Sequence, residues 1–183
     1  MKIAVNMDLS AVERRYMMTI STGVQAVAEC EYDRTDEAMW YVDKIVQTFS
    51  RILPGSISEM MPDYGCPVQA WTIYGLAVPL VTHVFGIKPD AYHKSVAITP
   101  HLPGDWNHAA IYDLPIGNNA ISFAIERRGY HALYSITSVA PGWKYSLKIK
   151  GLTGHKYKIN GKEFIAMADE IDLVGTVNRI ELL

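Results

Sequence analysis

The spacing of apolar residues divides the chain into a helical first half and a strand-rich second half. Residues 9–30 and 35–49 place apolar side chains at helical intervals, which predicts two helices joined by a short turn. Thr35 is the expected N-cap of the second helix. Gly23 weakens the first helix by about 1 kcal/mol relative to Ala, so this helix is either continuous or two shorter pieces. Two consecutive helices of this kind form an antiparallel hairpin.

A third helix is predicted for residues 67–85, and it is apolar on almost every side. Pro79 is expected to kink it, because proline has no N–H to bond back to the carbonyl of Gly75. A helix that is apolar all round requires burial within a larger helical assembly. We therefore expect the chain either to self-associate or to be completed by a further, N-terminal helical segment.

From Ile87 onward, short alternating or β-branched runs replace the helical pattern. The predicted strands are residues 95–99, 109–113, 120–127, 132–139, 145–150, 157–159, 171–174 and 178–182. Turn residues separate them, and Asn160-Gly161 is the clearest hairpin turn. This regular spacing predicts a compact antiparallel β-sandwich. The expected fold class is thus α+β, with a helical part over residues 1–88 and a sandwich over residues 89–183.

Composition and charge narrow the classes of function. The 183 residues are 49% hydrophobic and 20% charged, as in ordinary globular proteins. A net charge of -2 gives no electrostatic case for nucleic acid or an anionic membrane as partner. The longest apolar run, residues 70–84, falls short of the roughly 20 residues that span a bilayer. Without a secretory leader, Cys30 and Cys66 are expected to be reduced thiols of a cytoplasmic protein.

The sequence contains no residue pattern typical of a metal or cofactor site. The six histidines have no short ligand spacing, and neither cysteine lies near one in a zinc pattern. The glycines are scattered as turn residues and form no phosphate-binding loop. We expect neither a metal nor a cofactor.

The loop before the third helix holds the best catalytic candidate, Glu59. Its neighbours Ile57, Met60 and Met61 would remove water from the carboxylate, a condition typical of functional acids. The competing interpretation is structural: Glu59 accepts hydrogen bonds from backbone amides and only braces the loop. Asp63 is better interpreted as a turn residue that bonds to its own backbone.

Several residues that follow Glu59 have the chemistry of a sugar site. Tyr64 and Trp71 offer ring faces on which a pyranose can stack, and Gln69 can bond sugar hydroxyls. Core packing competes for the aromatic residues, because Trp71 and Tyr74 lie three apart on a predicted helix. We favour core packing for Tyr74 and keep Tyr64, Gln69 and Trp71 as candidate substrate-binding residues.

The segments that resemble a known family are TISTGVQAVAE, RTDEAM, LPGSISEMMPDYGCPVQAWTIYGLAVPL, FGIKPDA and ITPHLPGDW, with the turn at residues 115–117. They resemble the C-terminal end of six-hairpin glycosidases, nearest to bacterial glycogen-debranching-like enzymes of the amylo-α-1,6-glucosidase type. α-L-Rhamnosidases and trehalase-like enzymes are more distant. The family fold is an (α/α)6 barrel of twelve helices followed by a small β-sandwich. The resemblance implies that this chain supplies the last barrel helices and the sandwich.

The resemblance also implies a reaction, the inverting hydrolysis of α-linked glucosides or glucans. Such hydrolysis needs two carboxyl groups, roughly 6.5–9.5 Å apart in inverting enzymes. The family's general base corresponds to Glu59, whereas its general acid comes from an earlier hairpin that no segment here matches. The chain alone is therefore expected to be inactive, with a carbohydrate as its ligand. The alternatives are an α-L-rhamnosidase-like hydrolase and a non-catalytic carbohydrate-binding or structural module.

Overall fold

The computed structural model describes residues 5–7, 15–61, 65–129 and 131–183. The chain divides into two compact units, Met1–Val84 and Phe85–Leu183. The first is mainly helical and the second is built of β-sheets, in agreement with the predicted α+β class. Over these described ranges, no helix combines the length and the apolar character needed to cross a membrane.

Two regular helices and one irregular helical segment make up most of the described residues of the first unit. The helices are α1, Thr19–Glu31, and α2, Thr35–Val46. The third segment, residues 70–84, joins a 3-10 turn (Ala70–Ile73), one α-helical turn (Tyr74–Ala77) and a π-helical part (Val78–Val84). A small antiparallel sheet consists of β1 (Val5–Met7), β2 (Arg15–Met18) and β3 (Met60–Met61).

The prediction of a first helix over residues 9–30 is wrong in its first part. The strand β2 pairs Met17 with Met61 of β3, and α1 begins only at Thr19. Residues 8–14 lie outside the described part of the chain. The partner strand is distant in sequence, and tertiary pairing of this kind overrides local apolar spacing.

The first two helices pack together through their apolar sides. Ala26 of α1 and Tyr41 and Val42 of α2 form one buried cluster. The predicted N-cap at Thr35 is wrong, because Arg34 occupies the cap position and no side chain caps the helix. The N–H of Arg34 donates to the carbonyl oxygen of Glu29, which tightens the turn and starts α2 one residue early.

The third helical segment is shorter and less regular than the predicted helix over residues 67–85. Pro79 lies in its π-helical part, Val78–Val84. Proline offers no N–H to the carbonyl four residues before it, and a switch to wider turns is one way in which a helix accommodates that loss. The segment thus changes helix type at Val78, next to Pro79, whereas the kink expected at Pro79 stays a prediction.

The third segment crosses α1 at two glycines whose backbones touch. A Cβ atom on Gly23 would lie 2.4 Å from Cα of Gly75, and one on Gly75 would lie 2.8 Å from Cα of Gly23. A Cβ on Gly75 would also lie 2.7 Å from Cδ1 of Ile45 in α2. Gly23 thus does not divide the first helix, which is continuous. It permits a backbone-to-backbone contact that any side chain would prevent.

A large apolar surface of the first unit is uncovered. Trp71 and Ile73 on the third segment are 67% and 58% exposed, and Val46 and Phe49 at the end of α2 are about half exposed. The described residues therefore do not themselves provide the burial expected for the third helix, and its burial within a larger helical assembly stays a prediction. Within the described residues, too few helices are present to cover both sides of this segment.

The described residues of the second unit form ten strands. They are β4 (Ile87–Asp90), β5 (Ser95–Ile98), β6 (His108–Ile116), β7 (Asn119–Arg128), β8 (His131–Ser138), β9 (Lys144–Lys148), β10 (Lys156–Ile159), β11 (Lys162–Ile165), β12 (Glu170–Val174) and β13 (Val177–Leu182). Each predicted strand overlaps one of these strands. The predicted hairpin turn at Asn160-Gly161 is confirmed, because both residues have positive φ between the paired strands β10 and β11.

The strands lie in two sheets, in the orders β11-β10-β13-β8-β7-β6 and β12-β9-β5-β4. Burial alternates along β7 and β9, which leaves one face of each sheet in the core, as in a sandwich. Asn119 Nδ2 of the first sheet donates to the hydroxyl of Tyr145 in the second at 3.2 Å. One detail of the prediction is wrong: β5 and β9 pair in parallel, since they are not joined by a hairpin.

Asp169 fixes a loop of the second unit. Its carboxylate accepts hydrogen bonds from the N–H of Gly151 at 3.0 Å, the N–H of Thr153 at 2.9 Å and the hydroxyl of Thr153 at 2.7 Å. These bonds, led by that of the Thr153 side chain, lower the pKa of Asp169 from 3.8 to about 2. The ionised carboxylate is therefore the form that the folded loop prefers.

We expect Gly23→Ala to destabilise the first unit, although alanine favours a helix by about 1 kcal/mol over glycine. The added Cβ would meet the backbone of Gly75, which has no side chain to move aside. Urea denaturation followed by circular dichroism measures the change. Val24→Ala, at an exposed position of the same helix, is the control and should have a small effect. A Gly23→Ala variant more stable than the natural chain would contradict the backbone contact.

We expect Asp169→Asn to be less stable than the natural chain at neutral pH, with the difference fading as the pH falls from about 4 to about 2. A carboxyl whose pKa is lowered by folding stabilises the protein above its unfolded pKa. That stability is lost as the pH falls through the folded pKa, about 2. Thermal unfolding across this pH range is the measurement, with the exposed Asp172→Asn as control. A deficit of equal size at every pH would rule out the charge as its cause.

Candidate functional site

The backbone at Ser58 and Glu59 is hydrogen-bonded to Thr19, the first residue of α1. The N–H of Thr19 donates to the carbonyl oxygen of Glu59 at 3.0 Å. The hydroxyl of Thr19 donates to the carbonyl oxygen of Ser58 at 2.8 Å. Ile57, Ser58 and Thr19 are all buried. The backbone of this loop is therefore fixed to a regular helix, which is the kind of support that a binding or catalytic side chain requires.

A second buried contact links α1 to the third helical segment. The hydroxyl oxygens of Thr19 and Thr72 lie 2.9 Å apart, and neither threonine is exposed. The hydroxyl of Thr72 also donates to Oε1 of Gln69 at 2.6 Å. The two threonines lie four and three residues before the touching glycines, about one helical turn in each case. The glycine contact therefore brings these hydroxyls together.

The carboxylate of Glu59 is folded back onto its own loop. The N–H of Cys66 donates to Oε2 of Glu59 at 3.0 Å, and the N–H of Glu59 donates to the carbonyl oxygen of Cys66 at 2.9 Å. Gly65 has φ +81°, and a Cβ there would lie 2.6 Å from Oε2 of Glu59. This arrangement is the brace that the structural interpretation of Glu59 predicts.

The Glu59 carboxylate keeps contact with solvent although it accepts the hydrogen bond from Cys66. Glu59 is half-buried rather than enclosed, although Ile57 and Met61 beside it are buried. The strong loss of solvation predicted from its apolar neighbours is therefore not observed. An ionised carboxylate has about four acceptor positions, of which the N–H of Cys66 takes one among the contacts of the described residues.

The candidate substrate-binding residues differ in their surroundings. Trp71 is 67% exposed, so its ring is open to a ligand. Oε1 of Gln69 accepts a hydrogen bond from the hydroxyl of Thr72. The backbone N–H of Gln69 donates to the carbonyl oxygen of Ile57 at 3.0 Å. Tyr64 and Asp63 lie outside the described residues. Tyr74, predicted to pack in the core, is partly exposed.

Four residues of this site escape prediction from sequence. Thr19, Thr72, Gly65 and the N–H of Cys66 all help to fix the Glu59 loop. The only local signals are two polar residues within apolar helices and a glycine within a loop. Neither signal predicts which residue each of these groups contacts, because the contacting residues lie up to 53 positions away in the sequence.

Two other reactive groups in the described part of the first unit, Glu29 and Cys30, do not join this site. Glu29, the buried acid of α1, pairs with Arg34 and accepts a hydrogen bond from Gln25. It lies ten residues after Thr19 on the same helix, which corresponds to roughly 15 Å. Burial, with the charges of Glu31 and Glu29, raises the pKa of the Cys30 thiol to about 11, which makes it a poor nucleophile.

Metal ligands are not clustered in the described ranges, where no group of three or more His, Cys, Asp or Glu side chains is arranged to hold an ion. Two cavities, of about 320 and 190 Å³, are lined wholly by residues of the second unit. Neither cavity includes Glu59.

Comparison with known proteins gives a likeness in fold. No family model matches the chain, and no curated protein matches its sequence. Among solved structures, an α-L-rhamnosidase from Dictyoglumus thermophilum is similar, with a TM-score of 0.52 and 10% sequence identity. The match covers 66% of this chain and 15% of the rhamnosidase chain. The chain thus resembles a small part of a glycoside hydrolase in fold.

We expect Glu59→Ala and Glu59→Gln to differ in their effect on folding. Alanine removes the acceptor for the Cys66 N–H and should cost about 0.5–1.5 kcal/mol of the free energy of unfolding, whereas glutamine keeps an acceptor oxygen. Urea denaturation of both variants measures this difference. Cys66→Ser keeps the backbone N–H and is the control. Equal losses for the two Glu59 variants would exclude the hydrogen bond as the reason.

Proposed function

We propose that this chain is part of a glycoside hydrolase in which Glu59 is the general base of an inverting mechanism. The observation that carries the proposal is the likeness in fold to a solved α-L-rhamnosidase. It is supported by the position of Glu59 in a fixed loop directly before the third helical segment, at the acid to which the sequence resemblance assigns this role.

The proposed substrates are α-linked glucosides or glucans, because the sequence segments resemble those of glycogen-debranching-like enzymes. α-L-Rhamnosides are the second candidate, favoured by the name of the similar solved structure. Trp71 and Tyr64 would stack on the sugar, and Gln69 would bond a hydroxyl. The exposure of Trp71 is consistent with this role.

The chemistry assigned to Glu59 is the removal of one proton. Its carboxylate takes a proton from a water molecule as that water attacks the anomeric carbon from the face opposite the leaving group. A second carboxyl group donates a proton to the glycosidic oxygen as the bond to that oxygen breaks. The product then has the opposite anomeric configuration, and the two carboxyl groups end with exchanged protonation.

We infer that this second carboxyl group comes from a further helical segment, on the same polypeptide or on a partner. The exposed apolar side chains of Trp71, Ile73, Val46 and Phe49 support the inference, since such a segment would cover them. Self-association of the chain is the alternative way to cover them. The chain spans only 15% of the similar rhamnosidase, in agreement with a partial catalytic domain.

A non-catalytic module, carbohydrate-binding or structural, is the competing function. The observation that favours it is the bond between the Cys66 N–H and the Glu59 carboxylate, which is sufficient to explain an acid in this loop. The two proposals differ in what the negative charge of Glu59 does.

We expect Glu59→Gln to lower kcat at least about 100-fold in the enzyme assembled from this chain and the segment with the general acid. Glutamine keeps the acceptor for Cys66 but cannot take a proton. Hydrolysis of aryl α-D-glucosides and aryl α-L-rhamnosides is the assay, and the chain alone should hydrolyse neither. In Glu59→Ala, added azide should restore product formation as a glycosyl azide of inverted configuration.

Glu37→Gln, at an exposed acid in the first turn of α2, is the matched control. It should leave kcat unchanged. Activity near that of the natural enzyme in Glu59→Gln would return Glu59 to a structural role and favour the non-catalytic module.

A further inference from the structure

A cavity of about 320 Å³ lies on the outer face of the six-stranded sheet of the second unit, against β7, β8 and β13. This volume is at the lower end of the roughly 300–1,000 Å³ found for small-molecule sites. Its walls include Glu126 and Arg128 of β7, Leu133 of β8, and Arg179 and Glu181 of β13. None of these residues belongs to the proposed catalytic site.

The strand register places two acids on either side of one leucine. Glu126 pairs with Leu133, and Leu133 pairs with Glu181. Neighbouring strands lie about 4.8 Å apart, so the Cα atoms of the two glutamates are on the order of 10 Å apart. Leu133 therefore forms an apolar floor between two carboxylates.

Each carboxylate of the cavity has a guanidinium group beside it. Nη2 of Arg128 lies 3.6 Å from Oε2 of Glu126, and Nε of Arg179 lies 3.1 Å from Oε1 of Glu181. The side chains of Arg128 and Arg179 are 85% and 60% exposed. Exposed ion pairs contribute about 0–1 kcal/mol to folding, so these groups can exchange partners with a ligand at little cost.

The chemistry of these walls selects a neutral ligand rich in hydroxyl groups. The charges of the two arginines balance those of the two glutamates, so these four side chains together carry no net charge. His131 also lines the cavity, with Nδ1 3.3 Å from the carbonyl oxygen of Leu182. A carboxylate only accepts hydrogen bonds and a guanidinium only donates them. Two adjacent hydroxyls can donate one bond to the carboxylate and accept one from the guanidinium, and the C–H face of a sugar ring can lie on Leu133.

We propose that this cavity binds one neutral pyranose ring, held between the Glu126–Arg128 and Glu181–Arg179 pairs above Leu133. The site would make the second unit a sugar-binding module in its own right. It goes beyond the proposed hydrolase function and needs no group of the Glu59 loop.

The test is a titration of the full chain with D-glucose, L-rhamnose and maltose, followed by NMR chemical shifts of backbone amides. We expect shifts centred on Leu133 and its neighbours in β7 and β13. Arg179→Ala should weaken the affinity about tenfold, the loss of one charge-assisted hydrogen bond. Lys144→Ala, at an exposed lysine of the other sheet, should leave the affinity unchanged.

Leu133→Arg replaces the apolar floor of the cavity with a long charged side chain. It should abolish the sugar-induced chemical shifts. Inorganic phosphate is the second probe, and binding of phosphate without any sugar would overturn the proposal in favour of an anion site. The absence of sugar-induced shifts around Leu133 would also overturn it. Glu59→Gln should leave this binding intact, so failure here and failure of the proposed hydrolase function are separate outcomes.

Discussion

The backbone contact between Gly23 and Gly75 is the constraint on which the arrangement of the first unit depends. Because neither glycine has a side chain, α1 and the third helical segment approach so closely that a Cβ atom on either glycine would clash with the backbone of the other. One turn before the crossing on each element stands a threonine, and the two hydroxyls meet at 2.9 Å. From Thr19 the bonds continue to the carbonyl oxygens of Ser58 and Glu59. The helix crossing thus determines where the Glu59 loop begins.

The Glu59 loop then closes on itself. Glu59 and Cys66 exchange two hydrogen bonds, one of which uses the carboxylate. A carboxylate held in this way is both a structural brace and a group in a fixed position, and a general base requires the second property. What the described residues of this unit do not supply is cover for Trp71 and Ile73. The proposed function assigns this cover to a further helical segment.

The sequence predicts the second unit better than the first, and the reason is physical. The alternation of more and less buried residues along β7 is a local property, because a strand buried on one face alternates with a period of two. The turn at Asn160-Gly161 is also local, because its positive φ angles favour these residues. The parallel pairing of β5 with β9 is a long-range choice that no local pattern encodes. In the first unit, the strand β2 and the crossing at Gly23 depend on partners distant in sequence. The neighbours of Glu59 and the resemblance only single it out as a candidate, and neither predicts its contacts with Thr19 and Cys66.

The role proposed for Glu59 is to activate water for direct attack on an α-linked sugar. The most direct test is the anomeric configuration of the first product, followed by ¹H NMR in the assembled enzyme before mutarotation. An inverting mechanism with Glu59 as base predicts that the β-anomer appears first from an α-glucoside or an α-L-rhamnoside. Initial release of the α-anomer would mean retention and would contradict the role given to Glu59.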